Sequence, residues 1–385
     1  MQLLQFQGIL RKSLISVMAG LYVHIPFCHS KCAYCDFFST PRRGMMEEYV
    51  GAISGEWHSR KDELTEPVET VYIGGGTPSV LPLPLLASLV ETLPVPSGEY
   101  TIEANPEDVS PAWAQWVADS PIGRVSMGVQ SFDDSQLRSV GRRHTAAQAV
   151  AAIENLRRAG ISELSCDLIY GLPGQTLDSW RRQLDTLLSL RPPHLSCYLL
   201  SYEEGTRLWA MRSAGKVKEA SEELALDMYA CLTEATRAAG YSHYEISNFC
   251  LEGHRAIHNS NYWLDRPYLG LGVSAHSFSG TRRSYNPANI KEYISRGGKE
   301  LAIVEEETPD QRLNDFIITA LRTSRGLHLS EAGARFGSAA ADHIISCAAP
   351  HVASGNMRLD NGVLTIPESN WLLSDRFMTD LMKVD

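Results

Sequence analysis

Three cysteines within eight residues constrain this chain more than any other feature of it. The stretch Tyr22–Cys35 reads Tyr-Val-His-Ile-Pro-Phe-Cys-His-Ser-Lys-Cys-Ala-Tyr-Cys, so Cys28, Cys32 and Cys35 stand at C-x3-C-x2-C spacing after a short apolar run and a proline. Thiolates this close must curl around one soft-metal centre or form a strained local bridge. Zinc ribbons and fingers use paired C-x2-C knuckles that add up to four ligands, and ferredoxin-type clusters also take four cysteines. Here the local count stops at three. On a four-iron cluster, that leaves one iron open to a small-molecule ligand.

The remaining cysteines, Cys166, Cys197, Cys231, Cys250 and Cys347, are scattered. Together with the cluster of three they read as a cytoplasmic metal pattern rather than a disulfide framework. The formal net charge is −10 with no block of like charge, so general attraction to nucleic acid or an anionic membrane is not implied. No stretch of about 20 apolar residues is present to span a bilayer. Met1–Gly20 carries Arg11 and Lys12 and no acid, but lacks a clean apolar stretch ending in a small-residue cleavage site. Residues 1–17 are therefore expected to be an extension ahead of a true start at Met18.

Short apolar runs alternate with helical spacing through the first half. Strands are expected at Leu21–Ile25, Glu69–Ile73, Glu99–Glu103, Arg124–Val129, Leu164–Ile169 and His194–Leu200. Helices are expected at Met45–Leu64, Leu83–Leu93, Pro111–Ala118, Thr145–Ala159 and Thr176–Leu190. Strands of about five residues alternating with helices of about ten or more imply a parallel sheet of βα units. The expected fold is α/β, an incomplete (β/α)6 barrel over residues 18–215. Chemistry in such barrels sits on the loops after the strand C-terminal ends. An extension over 216–300 follows, in which 247–290 is rich in Gly, Asn, His and aromatics and reads as a functional loop region. The last segment, 301–385, combines helices with a hairpin at Arg358–Leu359 and Val363–Ile366, and closes with a helix at Trp371–Met382. It reads as a small winged-helix-like domain.

The polar motifs fall at strand ends. Gly74–Pro78, a Gly-Gly-Gly-Thr-Pro turn, follows the cysteines by about 40 residues and lets backbone groups approach a ligand closely. Glu103, Gln130 and Asp167 sit at or near the ends of strands three, four and five, and Arg142 lies in Gly141-Arg142-Arg143-His144. A carboxylate on a barrel strand is costly unless it is paired or bound to a ligand. Each of these could singly be a structural hydrogen bond; jointly, around one barrel rim, they read as a binding site.

Cysteine spacing and glycine turn together resemble the radical S-adenosylmethionine (SAM) superfamily. That resemblance implies a [4Fe-4S] cluster on Cys28, Cys32 and Cys35 whose open iron is chelated by SAM. From Leu21 to about Tyr202 the chain resembles the coproporphyrinogen III oxidase-like branch. The oxygen-independent coproporphyrinogen III oxidases carry a fourth cysteine two residues after the third, where this chain has Phe37. The sibling HemW-type haem chaperones lack it and tend to read Cys-Asp-Phe, as Cys35-Asp36-Phe37 does. The second half agrees: Tyr244–Phe249 and His258-Asn259-Ser260-Asn261-Tyr262-Trp263 match the HemW pattern, including its HNxxYW haem-binding motif. Ser274 stands where that pattern has glycine.

Carried over residue by residue, the resemblance implies SAM contacts at Tyr22, Gly75, Gly76, Thr77, Glu103, Gln130, Arg142 and Asp167, and haem at His258. Tyr34, between two cluster ligands, is placed to pack near the cluster or an adenine. A neutral imidazole suits an axial iron position. The function implied is a haem chaperone that binds haem and passes it to an acceptor protein, a membrane haemoprotein being one form of acceptor. An electron donor and a homodimer are further partners to consider. The competing function is radical decarboxylation of coproporphyrinogen III, with Phe37 and the HNxxYW motif favouring the chaperone.

Overall fold

The computed structural model describes residues 19–383. The expected extension over 1–17 and the reading of Met18 as the start lie outside the described residues. Six strands, β1 (Ala19–Ile25), β2 (Val68–Gly75), β3 (Glu99–Ala104), β4 (Arg124–Gln130), β5 (Glu163–Tyr170) and β6 (His194–Leu199), pair parallel in sequential order. Between them run α1 (Met46–Arg60), α2 (Leu83–Thr92), α3 (Pro111–Asp119), α4 (Asp134–Ser139), α5 (Ala146–Arg158) and α6 (Leu177–Leu190). This is the parallel βα barrel that the alternation predicts, with one further short helix, α4, ahead of α5.

The period-2 pattern of each strand decides which side chains meet the helices and which meet the barrel interior. On β2, Val71 and Ile73 are fully buried in the apolar core, as Leu21, Val23 and Ile25 are on β1. Thr70, Tyr72 and Gly74 share the other face, and Tyr72 lines the interior cavity. Helix starts are written locally. Thr145 and Gln148 close a capping box on α5, as Thr176 and Ser179 do on α6. Gly160 takes φ +94° just after α5 ends.

Beyond β6 the helical spacing of Glu222–Ala239 and the apolar run Tyr241–Ile246 appear as helix and strand, and the departure from the sequence reading comes after them. Helices α7 (Arg207–Ser213) and α8 (Glu222–Ala238) lead to β7 (Ser242–Glu245) and β8 (Asn248–Cys250), which extend the sheet antiparallel beyond β6. After α9 (Ile257–Trp263), strand β9 (Tyr268–Leu271) returns to pair parallel with β1, Gly20 opposite Tyr268 and Val23 opposite Leu271. Strands β10 (His276–Phe278) and β11 (Arg283–Tyr285), then α10 (Ile290–Ser295) and β12 (Ile303–Glu305), complete a twelve-stranded sheet. Segment 247–290 is thus sheet edge as well as loop. Its strands of three or four residues are too short to register as periodicity. Ser274 adopts φ 56°, which accounts for glycine in the family pattern at that place.

The C-terminal part runs α11 (Pro309–Leu321), β13 (Leu327–His328), α12 (Leu329–Phe336), α13 (Ser338–Ala353), then β14 (Arg358–Asp360) and β15 (Val363–Thr365). Asn361 at φ 48° and Gly362 at φ 78° form the two-residue turn joining β14 to β15. The order is that of a winged helix, as expected. The closing helix is not continuous: Glu368–Leu373 is 3-10 helix and α14 spans only Ser374–Thr379. Pro367 directly before that turn fixes the chain's entry. The two parts share one apolar core, in which Phe316, Ile317, Ile344, Leu364 and Trp371 continue the cluster built on Leu21 and Ile73.

Candidate functional site

The cysteine loop is tied down at its base and its tip. After Pro26, the Cys28 N–H donates to Thr40 O at 3.0 Å and the Thr40 N–H to Pro26 O at 2.7 Å. At the tip, the Ala33 N–H donates to Val140 O at 2.9 Å and Ala33 O accepts the Leu208 N–H at 2.7 Å. Cys28, Cys32 and Cys35 are free, half-buried, and line one cavity of about 620 Å³. Burial pushes the Cys28 thiol up and holds Cys35 at about 11, so an electropositive centre is needed to make both thiolates. Thr77 Oγ1 donates to Cys28 Sγ at 3.4 Å, and Arg142 Nη1 reaches Cys32 Sγ at 3.8 Å. Among the described residues, no three His, Cys, Asp or Glu side chains close around a single metal ion. A cysteine-held cluster, larger than an ion, spreads its ligands further apart.

The glycine turn serves strand packing first. A Cβ on Gly76 would lie 2.8 Å from Ile25 O, and one on Gly74 2.9 Å from the Glu103 carboxylate. Gly75, at φ +108°, would meet the His24 ring. Three glycines therefore let β1, β2 and β3 converge beneath the cysteine loop, leaving Gly75, Gly76 and Thr77 on the cavity wall.

Around the mouth, side chains form a linked arc. Arg142 Nη2 donates to Asn105 Oδ1 at 2.6 Å and to Gly128 O at 2.5 Å, and Asn105 Nδ2 donates to Thr77 Oγ1 at 3.1 Å. Arg142 Nε is buried with no partner, an open donor beside the cysteines suited to a carboxylate. Gln130 lines the cavity with a left-handed φ of 66°, where the β4–β5 register slips.

Deeper in, two carboxylates face the cavity. Burial pushes Glu103 up, although the Tyr72 hydroxyl donates to it at 2.7 Å and the Gly75 N–H at 3.0 Å. Asp167 is pushed up to about 7, first by burial, while the hydroxyls of Ser196, Ser165 and Ser126 pull it back. Two acids with spare lone pairs suit a ligand carrying hydroxyl and ammonium groups.

Of the residues singled out from sequence, the three cysteines, Tyr34, Gly75, Gly76, Thr77, Glu103, Gln130, Arg142 and Asp167 all line this cavity. Tyr22 and His258 lie outside its lining. The Tyr22 hydroxyl bonds His24 Nδ1 at 3.0 Å and its ring stacks on Tyr72. His258 is buried on α9 behind Tyr72, its Nδ1 bonded to Thr70 Oγ1 at 2.8 Å and its Nε2 to the Tyr262 hydroxyl at 2.9 Å. Burial lowers it to about 3, so the imidazole is neutral. Sequence reasoning passed over Asn105, Tyr72 and the serines under Asp167. Asn105 stands two residues beyond Glu103, and Tyr72 shares the face of Gly74 two residues on; the serines left no signal.

The chemistry of three open thiols, an orphaned guanidinium nitrogen and a glycine-walled cleft in one cavity fits a three-cysteine iron–sulfur cluster and a ligand bearing a carboxylate. Residues 22–187 match the model of the radical SAM superfamily. The chain is 35% identical over 313 residues to the heme chaperone HemW of Lactococcus lactis, covering 80% of this chain and 82% of that one. To HemW of Bacillus subtilis it is 32% identical over 331 residues, covering 83% and 87%. The chain belongs to the HemW family. HemW membership, within the radical SAM superfamily, brings with it a [4Fe-4S] cluster and SAM. The HemW fold is also shared more widely. The structure of the coproporphyrinogen III oxidase HemN from Escherichia coli superposes with a TM-score of 0.82 at 24% identity, over 96% of this chain and 91% of that one.

Proposed function

We propose that this chain binds haem and hands it to an acceptor protein, while holding a SAM-coordinated [4Fe-4S] cluster on Cys28, Cys32 and Cys35. The observation that carries the reading is the likeness to HemW chaperones along four fifths of both chains. Phe37 supports it. The ring lines the cavity mouth and is 67% exposed at the position of the oxidases' fourth cysteine, so no thiol is available there. SAM contacts are assigned to Gly75, Gly76, Thr77, Glu103, Gln130, Arg142 and Asp167, with Tyr22 behind them and Tyr34 beside the cluster.

His258 is assigned as the haem ligand. Since both ring nitrogens are engaged, ligation requires α9 to give up the Tyr262 or the Thr70 bond. Of the arginines flanking the motif, Arg255 lies over the Tyr244 ring, Arg266 faces Glu69, and Arg283 is held by Glu307 and Asp315. The acceptor is proposed to be a haemoprotein, membrane-bound or not, and the setting cytoplasmic. Among the described residues no helix is long and apolar enough to cross a membrane.

The deciding experiment is anaerobic reconstitution followed by haem titration and a coproporphyrinogen III conversion assay on the same sample. Haem binding without conversion is expected. Stoichiometric protoporphyrinogen IX in the presence of SAM and reductant would overturn the chaperone reading. His258→Ala should weaken haem binding or move its Soret band, with the cluster intact. Changing His24, His254 and His276 in parallel checks the assignment: if one of them moves the spectrum and His258→Ala does not, the ligand is elsewhere.

A further inference from the structure

We propose that Tyr72 is a positioning residue that ties the SAM pocket to the His258 helix, its hydroxyl setting the Glu103 carboxylate and its ring backing the His258 imidazole. This rests on the reading above, in which Glu103 serves SAM and His258 serves haem. Glu103 is held by two donors, one on each carboxylate oxygen. One oxygen takes the Gly75 N–H of the glycine turn at 3.0 Å, and the other takes the Tyr72 hydroxyl at 2.7 Å. The Tyr72 ring in turn packs against two others. Tyr22 stacks on it at 6.2 Å with planes 27° apart, and His258 at 5.0 Å with planes 24° apart. Of these three rings only that of Tyr72 lines the cavity. The tyrosine therefore links the two proposed sites, bonded to Glu103 and stacked on His258, while Ala256 and Asn259 beside His258 also reach the cavity.

Both connections are short: the hydroxyl bond to Glu103 borders the cavity, and the stack on His258 is enclosed. A ligand that draws on the free lone pairs of Glu103 reorients the carboxylate, and the Tyr72 hydroxyl must follow it. The ring cannot turn without sliding against His258, which Thr70 and Tyr262 pin at its two nitrogens. In the other direction, iron ligation by His258 breaks one of those bonds and moves the imidazole across the Tyr72 face. On the His258 side, where the imidazole is fully enclosed, close packing leaves no void to absorb such shifts, and coupling between two binding sites is reciprocal. If Tyr72 were only filling space, its oxygen would be dispensable.

The test uses reconstituted, cluster-bearing protein. Haem is titrated by Soret absorbance with and without saturating SAM, and SAM binding is measured by equilibrium dialysis. In the wild type, SAM should change haem affinity by about fivefold or more. Tyr72→Phe keeps the ring and removes the donor. It should weaken SAM binding by about tenfold and leave haem affinity the same with or without SAM, while the haem spectrum without SAM stays that of the wild type. Tyr72→Leu removes the ring as well and should shift that spectrum. Wild-type SAM affinity together with wild-type SAM dependence of haem binding in Tyr72→Phe would overturn the proposal, as would a wild type whose haem affinity ignores SAM. Two controls separate this from failure of the underlying reading. SAM affinity untouched by Glu103→Gln, or a haem spectrum untouched by His258→Ala, removes the site assignment and the coupling with it. Losses in both controls with none in Tyr72→Phe remove the role of Tyr72 alone.

Discussion

Single atoms decide much at this site. A methyl group on Gly76 would press on backbone atoms of residues 25–27, which cannot swing away as a side-chain tip can. Gly76→Ala should therefore cost about 2 kcal/mol of folding stability. Gly123→Ala, with nothing within 4 Å of its would-be Cβ, should change it by less than about 0.5 kcal/mol. Urea unfolding of the two variants side by side checks the contrast; equal effects would show that the strands have room to part. Asp167 gives a pH signature. Its carboxyl is raised to about 7 in the fold, mainly by burial, against about 3.9 in an unfolded chain. The folded state thus holds its proton more tightly, and the stability linked to it is full below about pH 4 and lost as pH rises through 7. In SAM-free protein, Asp167→Asn should flatten the fall in stability between about pH 4 and 7 and exceed the wild type above it. Melting temperatures across that range would show a parallel pair of curves if Asp167 were not the group responsible. Glu103 and Gln130 were legible because each is a polar type at a strand end. Tyr72 and the serines of β4, β5 and β6, which set the properties of Glu103 and Asp167, are ordinary strand residues whose meaning comes only from pairing.

At the level of elements, the strands and helices of the first half could be read from alternation, because each is long enough to show its period and is bounded by proline, glycine or a capping residue. The second half was read less well for the opposite reason. Strand β9 has four residues, and its place against β1 is set by a pairing across most of the chain. Helix α9 is also held from a distance. Glu99 on β3 accepts the Ile257 N–H at 2.9 Å and the His258 N–H at 3.2 Å, capping a helix that has no capping side chain of its own. Removing that carboxylate orphans both amides. Glu99→Ala should therefore speed amide exchange in residues 256–264 while the exchange of β4 and β5 stays as it was. Unchanged protection in that segment would mean that Tyr72 and Tyr262, rather than Glu99, hold the helix in place.

Across the whole molecule, the twelve-stranded sheet and the C-terminal domain are joined by shared core and by specific contacts. The His243 ring stacks on Phe249 at 3.9 Å and meets the Trp371 edge at 4.4 Å, while Glu368 accepts from His243 at 2.8 Å and from Arg237. An apolar cluster that runs without a break from Leu21 to Leu381 leaves no seam for one part to melt before the other. A single cooperative heat transition is expected; two resolved peaks by calorimetry would count against it. The winged-helix order was visible in sequence, but its docking was not, since His243, Glu368 and Trp371 carry no periodic signal.

The stitching of Ala33 to Val140 and Leu208 has a consequence for the life of the protein. Ala33, between Cys32 and Cys35, is anchored to the scaffold on both sides by backbone alone. The socket thus owes its shape to peptide groups rather than to its contents, unlike small metal domains that unfold when emptied. Oxidation that strips the iron should leave a folded receptacle ready for refilling, so that exposure to air becomes an injury this chain recovers from rather than a cause of its disposal.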